Sequence, residues 1–269
     1  GGSGRPHVNI WCYNAKNTVL QYNESYDCQS TVGDGQGFDI DDACTDCTVQ
    51  YNYSHDNAGG FFIGCAYYNE YYGSVVRYNI SQNDKRQLLF LTCPSKETLN
   101  YDPQKLMYDI YNNTFYTSYP IEHIIYNDLY EPGYTDYGKI RNNIFYVAGS
   151  PDADWGESDA AFSFSNNCYY GVDTAAITDT AKITSNPMLL AAGTAKAGRA
   201  TCGGYQLTDV SPCLSAGTEI ADGGKVDFWN NPLNIGSQPN IGAYGTGGVT
   251  KTKDMNLAAG RIAKTSFCN

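Results

Sequence analysis

Basic side chains are scarce in this sequence. Lys and Arg total 17 against 28 Asp and Glu, for a net charge of −11. Nucleic acid is therefore excluded as an expected partner, because phosphate binding needs a basic face. Long apolar runs are missing too, and nothing approaches the roughly 18 residues of a membrane-crossing helix. Before about residue 175 no segment carries the 3.6-residue period of an amphipathic helix, which sets helical architectures aside. No Gly-Lys-Ser/Thr follows Gly33–Gly37, so this stretch reads as a tight turn and not a phosphate cradle. Cys44-x-x-Cys47 lacks the second CxxC or His pair that would complete a structural zinc site.

What the chain does have is a repeat. TVLQYNESYD (18–27), TVQYNYSHD (48–56) and VVRYNISQND (75–84) share one pattern, with the Asn at 23, 52 and 79. Weaker copies follow at Asn112–Asn113, Asn142–Asn143 and Asn166–Asn167. A period of roughly 24–34 residues marks a solenoid in which each repeat is one coil. Between the Tyr-Asn segments lie more apolar ones: VNIWC (8–12), GFDID (37–41), GFFIGC (60–65), LLFLTC (88–93), EHIIY (122–126) and AFSFS (161–165). Gly, Asn, Asp and Ser separate them, which is turn chemistry. Short strands in a repeat of this length, without helices, predict an all-β parallel β-helix. Asn23, Asn52 and Asn79 should then stack at one corner, about 4.8 Å apart, each amide bonding the next coil. Asn also tolerates the left-handed conformation such corners require.

Strand alternation assigns the faces. Leu20, Val49 and Val76, with Tyr22, Tyr51 and Tyr78, are expected inside, and Gln21, Gln50 and Arg77 outside. In the apolar sheet Ile10, Ile40, Ile63 and Leu91 are expected inside. That leaves Asn9, Trp11, Asp39, Asp41, Phe62, Gly64, Phe90 and Thr92 on the outer face, with His123 one coil later.

Ten Cys predict disulfides and an oxidising compartment, with buried free thiols as the alternative. Cys202–Cys213 is the favoured bridge and Cys65–Cys93 the weaker one. The sequons at Asn23, Asn52 and Asn79 coincide with the repeat, which explains them without glycosylation.

Ser211-Pro-Cys-Leu-Ser-Ala-Gly217, Asp227-Phe-Trp-Asn and Pro239-Asn-Ile-Gly-Ala-Tyr244, together with GQGFDID…VQYNYSHDNAGG, resemble the secreted right-handed parallel β-helix proteins of the pectate-lyase-like superfamily. The resemblance implies a right-handed β-helix over 8–245, with irregular closing coils. Residues 1–7 are then an N-terminal loop and 246–269 a tail, with a short helix expected at about 254–263. It also implies carbohydrate chemistry outside the cell, without choosing among hydrolase, lyase and adhesin.

Two carboxylates, Asp39 and Asp41, sit in the middle of the aromatic-bordered face. Two residues along a strand span roughly 6.6 Å, near the separation of about 6.5–9.5 Å that leaves room for a water in an inverting glycosidase. Mutual repulsion would keep one protonated as acid and the other ionised as base. Trp11, Phe62 and Phe90 would stack on sugar rings, His55 would overhang the carboxylates, and Lys85 and Arg86 occupy the equivalent place one coil on. Each feature has a plainer reading. Asp34, Asp39, Asp41 and Asp42 could be a structural Ca²⁺ site, since that ion takes oxygen ligands. Phe62 and Phe90 could be a stacking ladder, and Asp56 matches Asp27 and Asn83 in the repeat.

The expected function is a secreted glycoside hydrolase acting on a polysaccharide. The first rival is a Ca²⁺-dependent lyase with Lys85, Arg86 or Arg77 as base. The second is a glycan-binding or fibre-forming surface protein. A first coil beginning at residue 8 with no cap further predicts an N-terminal extension or an end-on subunit contact.

Overall fold

The structure, a computed structural model, describes residues 7–30, 33–67, 69–94, 105–128, 135–233 and 236–249. The helix expected near 254–263 and most of the expected tail lie outside them.

Three parallel sheets wind into a right-handed β-helix. The first holds Ile10–Cys12, Gln36–Ile40, Gly60–Gly64, Arg86–Thr92 and Ile121–Asp128. The second begins with Val19–Gln21, Thr48–Gln50 and Ser74–Arg77 and continues for three more coils to Phe162–Ser165. The third runs from Glu24–Tyr26 to Cys168–Tyr170.

The asparagine ladder stands at the corner between the second and third sheets. Asn23 Nδ2 donates to Asn52 Oδ1 at 3.1 Å, Asn52 to Asn79 at 3.1 Å and Asn79 to Asn113 at 2.9 Å. Asn113 donates to Asn143 at 3.0 Å and Asn143 to Asn167 at 3.1 Å. Asp179 terminates the ladder by accepting from Asn167 at 3.0 Å. Each acceptor oxygen also takes the backbone N–H of the preceding ladder residue. The left-handed residue is not the ladder Asn but the one before it: Tyr22, Tyr51, Tyr78, Asn112, Asn142 and Asn166 all have φ between 49° and 60°. The doubled Asn of the later repeats thus divides two tasks, the first turning the backbone and the second bonding the stack.

That turn overturns the expected inward tyrosines. A left-handed residue breaks the two-residue alternation, so Tyr51, Tyr78 and Tyr111 leave the core. They form a separate cluster with Val75, Ile220, Val226 and Leu233 outside the second sheet. Val49 and Val76 do lie in the interior, and Leu20 packs against it. Outside, Gln50 donates to Gln21 at 2.8 Å and Arg77 to Gln50 at 2.8 Å.

A second corner, after the third sheet, repeats the device. Asp27, Asp56 and Asn83 are left-handed, and Asn57 donates its backbone N–H and its amide to Asp84 Oδ1 at 3.0 and 2.9 Å. Ser81 donates to Asp84 Oδ2 at 2.7 Å. Burial pushes the Asp84 carboxyl up to about 6, against the opposing hydrogen bonds from Ser54, Ser81 and Asn57. Its folded-state value thus exceeds the unfolded one. The stability it contributes is complete below about pH 4 and is lost as pH rises through about 6. Asp84→Asn keeps an acceptor for Asn57 and removes the titration. Its melting temperature should exceed that of the parent at pH 7.5, and the gap should close on acidification to pH 4, spanning up to about 3 kcal/mol. A gap that does not change with pH would rule this out.

The interior of the first sheet departs from the expected register. Ile10 aligns with Phe38, Phe62 and Leu89, and Cys12 with Ile40, Gly64 and Leu91. Phe62 is fully buried in the main core, so it is an inward residue and not an outer aromatic. Ile63 takes the outer position instead. Gly64 is required where it is, since a Cβ there would lie 2.3 Å from the Tyr108 ring.

Past the last coil, where Ile183 bridges Cys168, the chain returns along the outside of the second and third sheets. Tyr205 Oη donates to Gln82, Asn112 Nδ2 to the Asn240 carbonyl and Tyr22 Oη to Asn230. Neither Cys202 and Cys213 nor Cys65 and Cys93 are bridged, so neither expected disulfide forms. Cys213 lies against Cys168, a residue of the last coil, and not against Cys202.

Candidate functional site

The outer row of the first sheet reads Trp11, Asp39, Ile63, Phe90 and Tyr126 in direct register. Trp11 is 56% exposed, whereas Asp39 is 6% and Phe90 8% exposed. Phe90 and Tyr126 meet edge to face at 5.0 Å. His123 is not part of this row. A register shift after Arg86 pairs it with Gln87, and its ring lies 5.1 Å from that of Tyr126.

Asp39 is the singular group of the row. Its Oδ1 is buried and has no hydrogen-bond partner. Burial raises its carboxyl well above the usual range, and the charges of Asp41 and Asp34 raise it further. A buried carboxyl oxygen with no donor disfavours the ion, because its charge there would be neither solvated nor paired.

Asp41 follows the last strand residue, Ile40, and its backbone N–H donates to the Cys12 carbonyl at 2.9 Å. That bond continues the pairing of the first two coils one residue past the strand. Burial, and then the charges of Asp39 and Asp41, push up the thiol of Cys65 one coil on. Asp34 precedes the strand, yet its charge reaches both Asp39 and Asp41. Gly33 and Gly35 explain this return, with φ of 76° and 117°. A Cβ on Gly35 would lie 2.6 Å from the Ser30 carbonyl, so the doubled-back loop needs glycine there. Asp34 is half-buried. Burial and then Asp41 raise its carboxyl, while Arg86 and His7 oppose the shift. Asp34, Asp39 and Asp41 therefore lie within electrostatic reach of one another, so Asp34, read from the sequence as a Ca²⁺ ligand, joins the expected acid–base pair.

The remaining candidates divide. Arg86 joins the cluster: its guanidinium donates to the carbonyls of Gly33 and Asp34, which staples the loop. Lys85 turns away and lies 5.6 Å from the centre of the Tyr119 ring. Asp42 is committed to the following loop, its Oδ1 accepting from Tyr67 N at 3.1 Å and Asn69 N at 3.2 Å. Among the described residues no three acids place oxygens within 4.8 Å of one another.

His55 is not brought to the carboxylates. It lies on the third sheet, stacked between Tyr26 at 5.0 Å and Tyr53 at 4.7 Å. Its Nδ1 meets Asp56 at 2.8 Å and its Nε2 meets Glu24 at 3.2 Å, so both ring nitrogens are occupied. Sequence reasoning missed Tyr126, Cys65 and Tyr67. Tyr67 Oη contacts Asp128 at 3.5 Å at the far side of the cluster, and burial raises its phenol. The signal for Tyr126 was available in EHIIY, one residue out of phase with the assumed register.

No family model matches the chain. It is similar to a lacto-N-biosidase of Bifidobacterium longum subsp. longum, 28% identical over 277 residues. The match covers 93% of this chain and 16% of that enzyme. The chain thus corresponds to about a sixth of the relative's length. Among the described residues no helix is long and apolar enough to cross a membrane.

Proposed function

We propose that the chain is the β-helix portion of an extracellular glycoside hydrolase, with Asp34, Asp39 and Asp41 as its acid–base centre. The observation that carries this reading is the coupling of the three carboxyls on an aromatic-bordered outer face, two of them held above the usual range. A proton donor that works near neutral pH needs that elevation. It also needs access to the glycosidic oxygen. Asp34, half-buried at the rim, has both; Asp39, at the floor, has the elevation without the access. Asp41 supplies the carboxylate on the anomeric side. Trp11 offers an exposed ring for a sugar face at one edge, and Phe90 with Tyr126 forms the opposite wall.

The relative's name supports a glycan substrate, and a lacto-N-biose unit is the first to try. The test incubates the chain with an aryl lacto-N-bioside and a panel of polysaccharides, with and without chelator. Release of aryl alcohol or reducing ends, unaffected by chelator, is expected. Unsaturated products that vanish with chelator would instead establish a Ca²⁺-dependent lyase, and binding without any cleavage would establish a lectin-like surface.

A further inference from the structure

Of the buried nucleophilic groups outside the carboxylate face, one set converges on a point. Cys12 ends the first strand, and Cys44 and Cys47 lie in the turn one coil on. Their three sulfurs are all within 4.8 Å of one another, and Cys12 Sγ and Cys44 Sγ are 3.8 Å apart. Two thiolates bound to one zinc at about 2.3 Å in a tetrahedron lie about 3.8 Å apart. We propose that Cys12, Cys44 and Cys47 bind one thiophilic d¹⁰ ion, zinc(II), as a three-cysteine site that clips the first coil to the second.

The local chain is shaped for this. Left-handed Ala43 and Asp46, with φ of 60° and 56°, each stand immediately before a cysteine of the CxxC. A CxxC lets one turn supply two ligands; the solenoid supplies the third from the coil before. Cys44 and Cys47 are buried in the main core, and Cys12 is half-buried at its edge. The edge gives an ion its entry and a water the fourth position. The plain alternative is three packed thiols. Cys44 can donate to the Cys12 carbonyl at 3.4 Å, and Cys47 to the Ala15 carbonyl at 3.6 Å. Elsewhere among the described residues no other three cysteine, histidine or acidic side chains gather in this way.

The test is a titration of the reduced, metal-stripped chain with Co²⁺ alone under anaerobic conditions, followed by Zn²⁺. The expected result is one Co²⁺ per chain with a near-ultraviolet sulfur-to-metal absorption, its loss on zinc addition, and a higher melting temperature with either ion. Cys12→Ser and Cys47→Ser should lose the band, while Cys202→Ser, remote from the trio, should keep it. Circular dichroism is recorded before each titration, and Cys12→Ala replaces Cys12→Ser if the serine variant does not fold. A folded parent chain without the band overturns the proposal by itself. So does a band that survives in the Cys12 variant, or a disulfide within the trio in a peptide map of the unreduced chain.

Discussion

Asn79→Ala should lower the melting temperature by roughly 5–8 °C, the change expected from about 3–4 kcal/mol in a domain of this size. The Asn79 side chain serves five bonds. Its Oδ1 accepts the backbone N–H and the amide of Asn52. Its Nδ2 donates to the carbonyls of Val49 and Arg77 and to Asn113 Oδ1. All three ladder residues are fully buried. Truncation therefore leaves the Asn52 backbone N–H without its acceptor and takes one partner each from the Asn52 amide, the Val49 and Arg77 carbonyls and Asn113 Oδ1, and water cannot replace the amide without opening the corner. Asn23, at the half-buried first position, offers the contrast. Asn23→Ala should cost about 1 kcal/mol, because solvent can take over its partners. Thermal melts of the two variants decide the matter. Equal losses would mean that the corner is held by strand pairing and that the amide stack adds nothing.

Asp41→Asn and Asp34→Asn should each reduce kcat/KM on a cleaved glycan by about 10²–10⁴-fold, the range for removing one acid or base group. Neither should lower the melting temperature. For Asp34 and Asp39 the sign follows from the direction of their shifts. Both are raised in the folded chain, so the stability they contribute is present at low pH and is lost as pH rises through their folded values. A neutral Asn removes that loss. Asp39→Asn should therefore hold or raise the melting temperature at neutral pH, the more so because its buried Oδ1 makes no hydrogen bond to lose. In the parent chain the alkaline limb of the rate profile should lie above the ordinary carboxylate range, and Asp34→Asn should abolish that limb. Full activity in Asp34→Asn would transfer the proton donor to Asp39. Full activity in Asp41→Asn would remove the site from this face.

The solenoid was legible because its determinants are local and repeat. The Tyr-Asn pattern marks the corner, since a buried amide that must bond its copy one coil away leaves a periodic trace. The alternation at Leu20, Val49 and Val76 marked one interior row correctly, because those strands are regular. Legibility failed wherever the two-residue period breaks. The left-handed tyrosines turn their rings outward, under a C-terminal segment whose return no period announces. GFFIG is ambiguous by one residue, and only pairing with Gln36–Ile40 shows that Phe62 faces in and Ile63 out.

The site divides the same way. From the sequence alone came a parallel β-helix, an acidic surface that disfavours nucleic acid, and attention to Asp39 and Asp41 beside aromatics. Only the tertiary structure decided which groups meet. Asp34 reaches the pair because two left-handed glycines fold its loop back. His55 leaves it because the third sheet faces another way. Cys12 joins Cys44 and Cys47 because one coil stacks on the next. Sequence carries what neighbours along the chain impose on one another; stacking register and loop return set distances between residues that no local pattern links.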